Sequence, residues 1–284
     1  MNEFSPLQVT GLCKIYPQFR LQDLTFCLRP GKITGFIGRN GAGKSTTLKS
    51  IFGLVHPDAG EIRLFGEDFR ANPTALKQRI GFVPGAIDYY PTKKLATITR
   101  ITRAFYSDWD EQAYTQYLSL FRLDESKKPS ELSTGMKVKF ALTLALSHGA
   151  DLLVLDEPTS GLDPVSRDEL LDIFLSLCDE GKTILFSTHI TSDLERCADH
   201  ILYIRAGRLA ANQPLAEFRS AWRQVHYVGE PPLPRERLVG IRREKEGYSA
   251  LTRTCDLPAT PDLSAEPVSL DEIILHLERE EHLQ

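Results

Sequence analysis

The chain has 284 residues, with 34 Lys plus Arg against 38 Asp plus Glu and a formal net charge of −4. Hydrophobic residues make up 42% and charged residues 25%, enough apolar material to offset the entropy of ordering, so a disordered chain is excluded. The slightly acidic balance and the absence of a long Lys/Arg run exclude a basic nucleic-acid coat, and no nucleic-acid partner is expected.

Residues 7–9 and 24–28 read as short early strands and 32–37 as a third. The run Gly38-Arg39-Asn40-Gly41-Ala42-Gly43-Lys44-Ser45 follows, matching the phosphate-binding pattern GxxxxGK[ST] in full. It lies after a strand and opens a helix over 44–52, where exposed N–H groups and the positive helix end face an anion. Lys44 then reaches the β and γ phosphates, the Ser45 hydroxyl ligates Mg²⁺, and Thr46 adds a hydrogen bond. Gly53 suits the stop of that helix, and Pro57-Asp58-Ala59-Gly60 reads as a turn before a strand over 61–65. A further short strand is expected at 80–83.

From about 86 to 148 the pattern turns helical. Tyr114, Tyr117, Leu118 and Phe121 recur at helical spacing within 110–123, and Ser133 is a fitting N-cap for a helix running to 147. This block reads as a helical subdomain inserted between strands. Residues 152–155 form a continuous apolar run, as a buried parallel strand does, and end on Asp156-Glu157. Carboxylates at that end of a strand lie at the ligand-binding edge of an α/β sheet. Asp156 is expected to hold Mg²⁺ through water, and Glu157 to act as general base toward an attacking water. Asp163 and Pro164 open a helix that Gly181 closes, with Leu170, Leu171, Phe174, Leu177 and Cys178 on its inner stripe. The next strand, 183–187, leads to His189, placed to contact a γ-phosphate. Beyond about 206 the alternation weakens. Residues 229–234 read as a boundary loop, 239–253 as a hairpin and 270–280 as a terminal helix.

No run approaches the ~18 apolar residues of a spanning helix, and Met1-Asn2-Glu3-Phe4 lacks the regions of a secretory signal. A cytoplasmic chain is therefore expected. The five cysteines are widely spaced with no CxxC pair, which reads as reduced residues and makes a zinc site improbable on spacing.

Leu132-Ser133-Thr134-Gly135-Met136 lies upstream of Asp156, and Pro158-Thr159-Ser160-Gly161-Leu162-Asp163-Pro164 follows it. With the phosphate loop, the Asp-Glu pair and His189, in this order, the chain resembles the nucleotide-binding subunit of an ABC transporter over about residues 7–210. It looks most like bacterial exporter subunits, including the group that exports antibiotics, peptides or lipids. The resemblance implies an α/β fold: a P-loop NTPase cassette with an inserted helical subdomain, an N-terminal antiparallel β part and a small α+β C-terminal appendage. It places the cassette at 1–214 and the appendage at 215–284.

The resemblance also implies roles. Tyr16 occupies the place of an aromatic that stacks on adenine, and ATP rather than GTP is the expected nucleotide. Ser133, Thr134, Gly135 and Met136 stand where the signature LSGGQ contacts the ATP of a partner subunit, and Asp163 belongs to the D-loop. Lys44, Glu157 and His189 are the implied catalytic set, with Ser45 and Asp156 at the metal. One phosphate loop and one signature per chain imply a dimer, with a copy or with a related subunit. A separate membrane-spanning permease is the implied partner, docked near Tyr89, Tyr90 and Pro91 at the inner face of the membrane. The chain departs from the family at Gly85, where a glutamine is expected; Asp88 or water is left to substitute. Thr134 and Met136 also replace signature residues. Two other functions remain open from sequence: a soluble ABC-type ATPase and an ATP-gated module that barely hydrolyses.

Overall fold

Short apolar runs and their turn residues place the elements. The computed structural model describes residues 5–85, 90–257 and 265–281. By internal contacts the chain falls into two units, residues up to 212 and residues from 213 on.

In the first unit the strands are β1 (Leu7–Tyr16), β2 (Phe19–Cys27), β3 (Ile33–Ile37), β4 (Ala59–Leu64), β5 (Glu67–Asp68), β6 (Ile80–Val83), β7 (Leu152–Asp156), β8 (Thr183–Thr188), β9 (His200–Arg205) and β10 (Arg208–Pro214). Its helices are α1 (Lys44–Ile51), α2 (Pro73–Lys77), α3 (Leu95–Arg103), α4 (Glu111–Leu120), α5 (Thr134–Ser147), α6 (Pro164–Asp179) and α7 (Thr191–Cys197). One sheet runs β2-β1-β4-β5 and is antiparallel. The other runs β10-β9-β3-β8-β7-β6, with β9 through β6 parallel. β3, β7 and β8 are buried along their whole length, which fits strands covered on both faces. Phe36, Leu48, Ile80, Val154 and Leu185 belong to the core the two sheets share.

The helices α3, α4 and α5 all fall between β6 and β7, which are neighbours in the sheet. α4 ends at Leu120, short of the expected 123, because Arg122 turns left-handed at φ 51°. Arg122 N–H then donates to Ser119 O and Leu123 N–H to Leu118 O, a Schellman closure with arginine where glycine is usual.

At the end of α5, His148 is 5% exposed, its ring lies 3.7 Å from that of Tyr106 at 9°, and its Nδ1–H donates to Gln78 O at 2.9 Å. Burial holds its pKa below the ordinary 6.5. The neutral ring therefore supports the fold fully above pH 6.5, and that support is lost as pH falls through the lower folded value. His148→Phe keeps the stack and removes the titration. We expect the denaturant midpoint of this variant to fall less than that of the parent between pH 7.5 and 5.5; equal falls would assign the acid loss to other groups.

The second unit holds α8 (Leu215–Ser220), β11 (Trp222–Tyr227), β12 (Val239–Arg243), β13 (Tyr248–Arg253), β14 (Ala265–Pro267) and α9 (Leu270–Glu281). Its sheet order is β12-β13-β11-β14, with β12 and β13 forming the expected hairpin. Val225, Leu233, Leu238 and Ala250 make its small core.

Candidate nucleotide site

β3, β8 and β7 lie side by side and run parallel, so their carboxyl ends open on one edge. The loop 38–43 leaves β3, Glu157 follows β7, and His189 follows β8. Sequence positions 44, 157 and 189 are thus made neighbours by strand order alone. A cleft of about 490 Å³ results, lined by Phe19, Arg39, Asn40, Gly41, Gly43, Lys44, Ser45, Thr46, Glu157, Ser160 and His189. Another cavity, of about 370 Å³, lies at the far end of α1 among Gly53, Ile62 and Phe69; no carboxylate lines it.

Gly43 precedes α1 at φ 115°, closed to L side chains, and a Cβ there would stand 2.7 Å from Phe19 and 2.4 Å from Leu21. The loop is therefore pressed against β2. Lys44 is 6% exposed, and its ammonium donates to Gly38 O at 2.7 Å. It also stands 3.4 Å from Glu157 Oε1. Glu157 Oε2 meets His189 Nδ1 at 2.7 Å. The Glu157 backbone is left-handed, at φ 51°, a conformation that costs a non-glycine residue about 1 kcal/mol. Asp156 Oδ1 accepts from Ser45 Oγ at 3.2 Å and from Ser187 Oγ at 2.6 Å. Ser187 in turn accepts from Glu157 N–H at 3.0 Å, so one hydroxyl ties both acidic residues to β8. The parallel register pairs Asp156 with Ser187, a contact that strand periodicity alone does not announce.

Of the remaining residues picked from sequence, Gly38 and Ala42 belong to the loop without lining the cleft. Tyr16 is also outside the lining. It is paired with Phe19 across the β1–β2 turn, and directly opposed residues share a face, so Tyr16 extends the surface that Phe19 begins. Phe19 is not among the residues the sequence motifs single out; its signal is the alternation of Phe19 and Leu21 along β2. Ser133 caps α5, accepting from Met136 N–H at 3.2 Å. With Thr134, Gly135 and Met136 it stands outside the cleft of its own chain. A Cβ on Gly135 would lie 3.3 Å from Leu162, which brings the start of α5 beside the segment leading into α6. Asp163 caps α6, accepting from Val165 N–H at 3.1 Å and Ser166 N–H at 3.0 Å; the Ser166 side chain first, then these backbone bonds, lower its pKa. A Cβ on Gly85 would stand 3.1 Å from Asp156 O and 3.7 Å from its carboxylate, so position 85 abuts Asp156 with no side chain to offer. Tyr90 is exposed, whereas Asp88 and Tyr89 lie outside the described residues.

The ABC transporter family profile matches residues 21–160. The chain is 34% identical over 212 residues to the bacitracin transport ATP-binding protein BcrA of Bacillus licheniformis, covering 73% of this chain and 69% of that protein. It is 39% identical over 196 residues to the Nod factor export ATP-binding protein I of Burkholderia orbicola (strain AU 1054), covering 67% of this chain and 64% of the relative. Among solved structures, an ATP-binding subunit of an ABC transporter shares 32% identity at a TM-score of 0.69, covering 76% and 92% of the two chains. A dimeric ATP-binding cassette in a post-hydrolysis state with ADP and Pi shares the fold at 21% identity and a TM-score of 0.66, covering 74% and 98%.

Proposed function

The chain belongs to the ABC transporter family, and from that premise we propose that it is the ATP-hydrolysing motor subunit of an exporter, driving a separate membrane-spanning subunit. The convergence of Lys44, Ser45, Glu157 and His189 on one cleft, with Asp156 bonded to Ser45, carries this reading. The name of one relative, for Nod factor export, supports the direction of transport, and that of another, for bacitracin transport, supports transport itself. No helix among the described residues is long and apolar enough to cross a membrane, so a spanning partner completes the machine at the inner face of the membrane.

In this reading the amides of residues 39–43, with Lys44 and Thr46, cradle the triphosphate. The Ser45 hydroxyl and Asp156 carboxylate, 3.2 Å apart, are hard oxygen donors suited to Mg²⁺. Ser45 and Asp156 would hold the ion, and Gly85 beside them would add no side-chain donor. Bound Mg²⁺ supplies charge neutralisation on the phosphates. Glu157 takes a proton from the attacking water, and His189 orients it. Ser133, Thr134, Gly135 and Met136, outside their own cleft, reach the nucleotide of the second subunit, with Asp163 nearby. ATP then favours the closed dimer by the difference of its affinities for the closed and open states.

Adenine stacks along the Phe19–Tyr16 face. Base–aromatic stacking contributes about 1–3 kcal/mol, so Phe19→Ala and Tyr16→Ala are each expected to raise the Kd for ATP about tenfold, read by titration with a fluorescent nucleotide. Unchanged affinity in both would move the base elsewhere. The functional reading itself is tested by affinity purification from detergent-solubilised membranes. A polytopic membrane protein that co-purifies and stimulates ATPase activity is expected; recovery with ribosomes or DNA alone would replace the exporter with a soluble ATPase.

A further inference from the structure

We propose that Asp193 is a positioning residue that holds the Glu157 carboxylate and the His189 imidazole in one frame, acting through Thr159. This rests on the reading of Glu157 as the base and His189 as its partner. Glu157 leaves β7 in a left-handed turn, and two residues later Thr159 is fully buried. Thr159 Oγ1 donates to Asp193 Oδ2 at 2.6 Å. Asp193 is 1% exposed and sits in the first turn of α7, four residues beyond His189. A single hydrogen bond therefore joins the segment that carries Glu157 to the helix that follows His189.

Two further contacts make this a junction. Arg167 of α6 brings its Nε to 3.9 Å from Asp193 Oδ1, a charge contact too long for a hydrogen bond, while its Nη2 donates to Leu162 O at 3.4 Å. α7 itself packs on β3: a Cβ at Gly35 would stand 2.1 Å from a Leu194 methyl, so glycine there makes room for the Leu194 side chain. Asp193 thus meets the loop after β7, the start of α6 and a helix seated on the sheet. Burial pushes its carboxyl pKa up, the expected cost of a charge removed from water. An apolar residue of similar volume would often serve stability as well. What the carboxylate adds is a directed bond to Thr159, and catalytic geometry is sensitive to displacements of about 1 Å.

The test uses the full chain and substitutions chosen to keep shape. Thr159→Val removes the hydroxyl and Thr159→Ser retains it; Asp193→Asn removes the charge. Expected for Thr159→Val is a kcat about tenfold or more below the parent, with the Kd for a fluorescent ATP analogue unchanged within about twofold. Thr159→Ser should recover kcat to within about threefold, and Asp193→Asn should follow Thr159→Val if it folds. A Thr159→Val chain with parental kcat overturns the proposal, as does a loss that Thr159→Ser fails to rescue. Glu157→Gln, measured beside them, separates the two readings. If it retains full turnover, the assignment of the base is wrong; if it is inactive while Thr159→Val is not, only the positioning role is lost.

Discussion

Lys44→Ala is expected to remove measurable affinity for Mg-ATP. The side chain is almost wholly buried in the loop, and its ammonium already stands among Gly38 O, Arg39 O at 3.4 Å and the Glu157 carboxylate at 3.4 Å. A triphosphate would share this cation, and each hydrogen bond to a charged group contributes about 1.5–3 kcal/mol. Losing two such bonds raises the Kd roughly a hundredfold or more. Alanine also leaves Glu157 facing the phosphates with no cation between them, which adds repulsion to the lost attraction. Isothermal titration of the purified chain decides the matter: a Kd within threefold of the parent would place the phosphates elsewhere and undo the site.

The parts of the fold legible in the sequence are those with local causes. Gly53 and Gly181 end α1 and α6 where expected, each closing a Schellman motif with its own N–H and that of the next residue. α4 closes the same way on Arg122, and arginine carries no such signal, so helical spacing alone extends the expected helix to 123. The sequence marks only 7–9 as a strand; in the structure β1 passes through Gly11 at φ 60° with a register shift and continues to Tyr16. Within the helical block 86–148 the sequence does not mark α3 itself: LATITRITR is rich in β-branched residues that disfavour helices in isolation, whereas Leu95 and Ile98 are buried and packing decides.

The candidate site divides in the same way. The glycine loop and the Asp-Glu pair announce themselves because their chemistry sits in consecutive residues. Ser187, Phe19 and Asp193 do not, because each acquires its partner across strands or helices far apart in the chain. Ser187 is an ordinary buried hydroxyl until parallel register sets it against Asp156. Asp193 reads as a routine acidic residue in a first helical turn until Thr159 arrives from residues 34 positions earlier. Gly85 is the converse: the sequence shows a missing side chain, and the structure adds what it is missing from, the flank of Asp156.

Glu157→Gln is expected to separate binding from turnover. Glutamine is nearly isosteric and is no worse at the left-handed backbone position, so the loop after β7 and its Thr159 anchor should persist. What changes is charge and basicity at one atom group, 3.4 Å from the Lys44 ammonium and 2.7 Å from the His189 imidazole. An amide cannot accept the proton of an attacking water, and losing a general base lowers rate by about 10²–10⁴. The same change relieves a negative charge beside the triphosphate, so affinity should hold or rise. In the proposed cycle ATP supports the closed dimer and hydrolysis ends that support, so a chain that binds without hydrolysing should accumulate as a dimer in Mg-ATP. Gel filtration with light scattering reads this directly: twice the monomer mass with ATP, one with ADP. Turnover equal to the parent would show that the proton leaves by another group. A monomer in ATP with turnover abolished would keep Glu157 as base and remove the shared pocket, leaving the outward-facing Ser133–Met136 segment without the role assigned to it.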